Sequence, residues 1–222
     1  MAERLLPIFP LPGVVHFPGT ELPLHIFEPR YRELVAELLE RPPAERLIGM
    51  MLLDADPETG APTLLEPGCA GRLIGHEPLA DGRFDIVLRG EFRFRLGREL
   101  PGRSFRRALV DPLEERVPLV EQERAERLER EILELVAAVG RQSARALPVD
   151  PAALAGGDGR GLAALVNRLA AGLDLPALRK QSLLAEAPLE RAEQIAGILR
   201  SRLKLVTSLG PFRHLAAAAP LN

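Results

Sequence analysis

Three sets of residues in this chain carry types that do chemistry. Ser182 lies two positions from Lys180, the composition of a Ser-Lys nucleophile pair. At that separation on a helix the two side chains point to different faces, so the pair is expected to be idle. His16, His25, His76 and His214 show no ligand spacing such as H-x-x-x-H, and Cys69 is the one cysteine. A zinc site cannot be assembled from such a set, so each histidine reads as structural or solvated and no metal is expected. Arg89 to Arg107 carries seven arginines and three phenylalanines, the makings of a single-strand nucleic-acid platform. Period two works against it, placing Phe92 and Phe94 inward and Arg93 and Arg95 outward, while Asp85, Glu91 and Glu99 dilute the field. No G-x-S-x-G elbow occurs, and no Gly-Lys dipeptide exists from which a phosphate-cradling loop could be built. No catalytic residue and no cofactor is therefore expected.

Apolar contact is the remaining chemistry. Met50 and Met51 are adjacent, so in a strand one of them is expected to face outward, and an exposed Met suits an adaptable surface. Phe17 and Pro18 sit on a proline-punctuated turn that would expose a further patch. Phe17, Pro18, Met50 and Met51 are thus the candidate peptide-binding residues. Filling gaps in the core is the competing role for the methionines.

The elements that would position them follow from turn chemistry and periodicity. In Leu6 to Tyr31 six prolines forbid a long helix, so short strands are expected at Ile8-Phe9, Val14–Phe17 and Leu22–Ile26. Pro29 opens a helix whose apolar face is Tyr31, Leu34, Val35 and Leu38. Arg46–Leu53, Thr63–Leu65, Gly71–Pro78, Arg83–Leu96 and Ser104–Leu113 read as further strands. Asp81-Gly82 is a hairpin turn and Gly90 a bend or bulge. From Val117 the pattern becomes helical, with stripes at Leu128/Ile132/Leu135/Val136/Val139, Leu162/Leu165/Val166/Leu169/Leu173 and Ile195/Leu199/Leu203/Val206. A short helix from Pro176 to about Leu184 lies among them, and Leu147–Gly161 reads as a loop. Helices apolar on one side must pack as a bundle.

The segment PIFPLPGVVHFPGTELPLHIFEPRYRELV resembles the opening of the Lon protease N-terminal, substrate-binding domain family, and most resembles its stand-alone bacterial members. Phe-Pro-Gly after Val14-Val15 and the run from Leu24 to Tyr31 carry the likeness. Lys180-Gln181-Ser182-Leu183-Leu184 resembles that family's Lys-Gln-x-Leu-Leu in its helical lobe. The resemblance implies an α+β fold: a PUA-like pseudo-barrel of short strands plus one helix over 5–116, a helical-bundle lobe over 117–209 and a tail at 210–222. It also implies recognition of unfolded polypeptide or a partner protein rather than catalysis, because neither an ATPase nor a peptidase module is recognisable. A small-ligand binder or enzyme on the same fold is the alternative, and nucleic-acid binding a more remote one.

Bulk composition agrees. The chain has 222 residues, 46% hydrophobic and 27% charged, with a net charge of −2. Nothing in that balance points to nucleic acid or an anionic membrane. Of 29 basic residues only Lys180 and Lys204 are lysines. The N-terminus lacks a signal-peptide core and no apolar run is long enough to span a bilayer, so no membrane association is expected. One cysteine and no leader suit a cytoplasmic protein. The sequence carries no signal of oligomeric state.

Overall fold

The computed structural model describes residues 3–55, 58–142 and 161–209. Its contacts divide the chain into two compact units: Met1–Glu115 with Asp174–Ala187, and Arg116–Leu173 with Pro188–Asn222. Asp174–Ala187, which the sequence reading grouped with the other helices, falls with the strands. His214, the tail beyond 209 and nearly all of the expected loop at 147–161 lie outside the described residues.

The first unit holds six strands: β1 (Arg4–Pro12), β2 (Glu21–Ile26), β3 (Leu47–Ala55), β4 (Pro62–Pro78), β5 (Phe84–Leu100) and β6 (Arg106–Pro112). Helix α1 (Pro29–Leu39) lies between β2 and β3. The strand order is β2-β5-β4-β3-β1-β6, and β6 pairs again with β5. Five strands therefore close a ring, and among the described residues β2 hangs on it through β5 alone. β5 serves three neighbours by being long. Its first half pairs with β2 and its second with β6, while β4 runs beside it. Only β1 and β3 run parallel.

Closure gives the sheet two apolar faces. One cluster joins α1 through Tyr31, Leu34, Val35 and Leu38 to Phe9, Ile48, Met50, Ile86 and Leu88. The other draws Leu6, Ile8, Met51, Ala70, Phe94, Ala108 and Val110 from the five ring strands, so it is the ring's interior. The hinge between the faces is a bulge. Ala70 pairs with Phe92 but Gly71 pairs with Gly90, leaving Glu91 as an extra residue on β5. Such an insertion swaps inward and outward positions downstream. Ile86 and Leu88 accordingly join the α1 side, whereas Phe94, of the same parity, points into the ring.

Two sequence expectations change here. Val14–Phe17 is not a strand, because residues 13–20 form an irregular loop fastened to Gly90: Gly19 N–H donates to Gly90 O at 2.8 Å and Gly90 N–H to Thr20 O at 2.9 Å. A Cβ at Gly90 would lie 2.1 Å from Phe17 O, so the expected bend is a close backbone approach that only glycine permits. Thr63–Leu65 and Gly71–Pro78 are one continuous strand, β4, instead of two. The Asp81-Gly82 turn forms as read, with Gly82 at φ 77.

In the second unit α2 (Gln122–Gln142), α3 (Gly161–Gly172) and α5 (Pro188–Leu209) pack together. Ile132, Val136, Val139, Leu165, Val166, Leu169, Ile195 and Leu199 are its buried core. Arg191 is fully buried and donates to Asn167 Oδ1. α4 (Ala177–Ala185) belongs to the first unit, where it packs on β4. No strand occurs after β6 among the described residues.

Candidate functional site

All four residues expected to form a peptide-binding patch are buried. Met50 is 4% exposed, Met51 2% and Phe17 0%, and Pro18 is buried beside it. The expectation of one outward methionine assumed a sheet with a wet face. β3 has none, since Met50 faces the α1 cluster and Met51 the ring interior. Arg93, read as outward, does point away from the ring interior that takes Phe94, but it is buried because the end of α4 and Glu114–Glu115 cover it. Of the other arginines in that run, Arg103 pairs with Glu37, Arg106 with Glu99, and Arg107 donates to Pro101 O at 2.9 Å.

The titratable candidates are dispersed. Ser182 Oγ donates to Arg179 O of its own helix at 2.9 Å, and burial holds the Lys180 ammonium below its usual pKa. His16 is buried with Nε2 unpartnered, and desolvation lowers its pKa to about 4. Cys69 is buried, its Sγ 3.7 Å from Ala70 O. Among the described residues no group of three His, Cys, Asp or Glu side chains could hold a metal ion. No described helix is long and apolar enough to cross a membrane.

What remains open is the outer edge of β2. The Thr20–Gly90 hydrogen bond sets the phase of the antiparallel ladder: Leu22, Leu24 and Ile26 turn their backbone groups to β5. Glu21, Pro23 and His25 turn theirs away from the sheet. Pro23 thus sits where its missing N–H costs the ladder nothing. Glu21 and His25 each present an N–H and a C=O to an incoming chain, and Pro23 presents a C=O.

On the sheet face that runs inward from this edge lies an open groove of about 490 Å³ lined by Pro23, Leu24 and His25 of β2, Asp85, Ile86 and Val87 of β5, and Gly75, His76 and Glu77 of β4. Its floor is shallow because Gly75 brings no side chain opposite Val87. His25 is fixed at the rim: its Nδ1 is 2.6 Å from Asp85 Oδ1 and its Nε2 is 3.0 Å from Arg83 Nη1. Since a guanidinium only donates, Nε2 accepts and Nδ1–H donates to Asp85. Arg83 is itself held by Asp81 at 2.6 Å, and the Arg83 backbone N–H on Asp81 keeps that carboxyl below its ordinary pKa. Phe27, 61% exposed, stacks against His25, and Ile74 is exposed on β4. The signal for this site lay in ELPLHIF, where Pro23 alternates with apolar residues on a short strand, the mark of an edge.

A closed five-stranded ring with one appended edge strand, together with a helical unit, defines an α+β fold. The chain belongs to the ATP-dependent protease La (LON) substrate-binding domain family, whose profile matches residues 5–201. It is 30% identical over 113 residues to Lon protease 2 of Sorangium cellulosum, a match spanning 50% of this chain and 14% of that protein. Among solved structures it is similar to a Lon N-terminal domain protein from Xanthomonas campestris (26% identity, 87% of this chain, 98% of the other, TM-score 0.56). It also shares its fold with the N-terminal domain of Mycobacterium avium complex Lon protease (17% identity, 90% and 98% covered, TM-score 0.64).

Proposed function

We propose that this chain is a non-enzymatic polypeptide-binding module that receives extended segments of unfolded or partner proteins along the outer edge of β2. The observation that carries the reading is that edge itself: a strand with a single partner, with outward backbone donors and acceptors, next to an apolar-floored groove and the exposed Phe27. An extended chain completes such an edge with main-chain hydrogen bonds, and the neighbouring apolar surface adds sequence-tolerant affinity. Membership of a substrate-binding domain family supports it. Native proteins hide their extended apolar segments, so unfolded chains are preferred. We place the protein in the cytoplasm, in keeping with its single cysteine, which leaves no intrachain disulfide to form. With no deep enclosed pocket at the edge, the affinity is of order micromolar, roughly 8 kcal/mol.

The test is fluorescence anisotropy of a labelled protein in unfolded and native forms, and of single-stranded RNA, at low and high salt. The unfolded chain binds best, with little salt dependence. His25→Pro, which deletes one outward N–H and leaves the β5 ladder whole, weakens it about tenfold. Equal binding of the native form, or tightest binding of RNA with a steep salt slope, removes the reading.

A further inference from the structure

α4 is bound to the strands by side chains reaching into backbone. Gln181 Nε2 donates to Leu65 O at 3.3 Å and to Pro67 O at 3.0 Å, both on β4 beside the register shift between Met50 and Leu52. Arg93 does the larger share. Its Nη1 donates to three consecutive carbonyls at the C-terminal end of α4: Leu184 at 2.7 Å, Ala185 at 3.3 Å and Glu186 at 2.8 Å. Its Nη2 donates to Glu114 O at 3.2 Å, and its Nε lies against the Glu115 carboxylate. The chain leaves the first unit just after Glu115 and again just after Ala187. One buried guanidinium therefore ties both departures to β5.

We propose that Asp174–Ala187 is a releasable strap and that Arg93 is its latch. A helix of nine residues does not hold its shape alone in water, and α4 has no side-chain N-cap at Pro176. It persists through what it docks on. The helix end is the place for a cation, because its carbonyls carry the negative pole of the backbone dipoles. Arg93 meets that pole from a strand of the ring, not from the helix itself. The ladders of β3, β4 and β5 are complete without α4, so the strap can lift while the ring stays closed. Lifting it bares Leu183 and Leu184, both buried when it is down, and returns the Arg93 charge to water. The latch is consequently two-state: a guanidinium spanning four carbonyls and a carboxylate has no half-engaged position of comparable satisfaction.

Hydrogen exchange of the full chain, read by mass spectrometry, tests this with Arg93→Met, Arg93→Lys and Gln181→Ala. Wild-type amides at 177–187 exchange before those of β1 and β3. Arg93→Met speeds 177–187 at least about tenfold and leaves β1 and β3 within about twofold. Arg93→Lys rescues little, since one ammonium cannot span the same acceptors. Gln181→Ala gives a smaller acceleration confined to the same segment. An unchanged segment in Arg93→Met, or equal acceleration across the ring strands, overturns the proposal. If Arg93→Met does not fold, Gln181→Ala decides: acceleration confined to the strap sustains the proposal, and uniform or absent acceleration discards it.

Discussion

His16 sets a pH limit on the stability of the first unit. The imidazole is 4% exposed, its Nε2 has no hydrogen-bond partner, and desolvation lowers its pKa from 6.5 to about 4. Well above pH 6.5 it is neutral folded and unfolded, so it adds no pH-dependent penalty. Between pH 6.5 and 4 the unfolded chain takes up a proton that the folded chain refuses, and stability falls. Below about pH 4 both states are protonated and the loss is complete. A drop from 6.5 to about 4, at roughly 1.4 kcal/mol per pH decade, amounts to about 3 kcal/mol. His16→Leu removes the titration, and a similar apolar volume fills the site. Urea unfolding at pH 7, 6, 5 and 4 measures both proteins. Carboxylates held low, such as Asp81 and Glu99, contribute equally to both and cancel in the difference. The wild type loses about 3 kcal/mol relative to His16→Leu between pH 7 and 4. Parallel pH profiles would refute the reasoning, because a histidine that stays solvated or finds a partner on protonation carries no such penalty.

Other substitutions separate core from surface. Gly90→Ala drives a Cβ into Phe17 O and should cost about 3 kcal/mol, seen as a melting temperature lower by about 10 °C. Met51→Ala truncates the ring interior and should cost about 3 kcal/mol in urea, while the folded variant keeps its affinity for an unfolded polypeptide within about twofold. Glu99→Gln breaks a solvent-exposed pair with Arg106 and should change stability by less than about 1 kcal/mol in the same measurement.

Local punctuation was legible in the sequence. Pro29 and the Tyr31/Leu34/Val35/Leu38 stripe specify α1 through forces acting within a few residues. Asp81-Gly82 specifies its turn in the same way. Closure was not legible, because it depends on which strands meet across a hundred residues. A reader of single strands expects one wet face and places Met50 or Met51 on it. Once β6 returns to β5, both faces of β3 are dry. Arg93 fails for a related reason: it faces away from Phe94 as parity predicts, but carbonyls of a helix some ninety residues later and the Glu115 carboxylate cover it, contacts that no periodicity within β5 encodes. The Lys-Gln-x-Leu-Leu likeness pointed to the right helix and concealed its role. Gln181 is spent on β4 carbonyls, a contact no periodicity within α4 encodes.

The same closure decides where recognition can lie on the first unit. Two clusters, one under α1 and one inside the ring, absorb most of the apolar residues of β1, β3 and β6, the exposed Leu5 excepted, and leave those strands with both neighbours paired. A polypeptide arriving at any of them finds neither a free ladder nor an open apolar face. β2 differs on both counts: it has one partner, and the Pro23–Val87–Gly75 floor opens on the sheet face that runs from it across β5 to β4, with the exposed Phe27 just past its end. Pro23 weakens the edge by one donor without closing it, which under the proposed function lets the strand accept varied chains without pairing permanently with copies of itself. The reading thereby makes a demand on mutagenesis. A proline at His25 should weaken polypeptide binding, and a truncation in β3 should lower stability without weakening it. If the two effects come out reversed, the recognition surface is not on β2 and the edge is only a blunted margin of the ring.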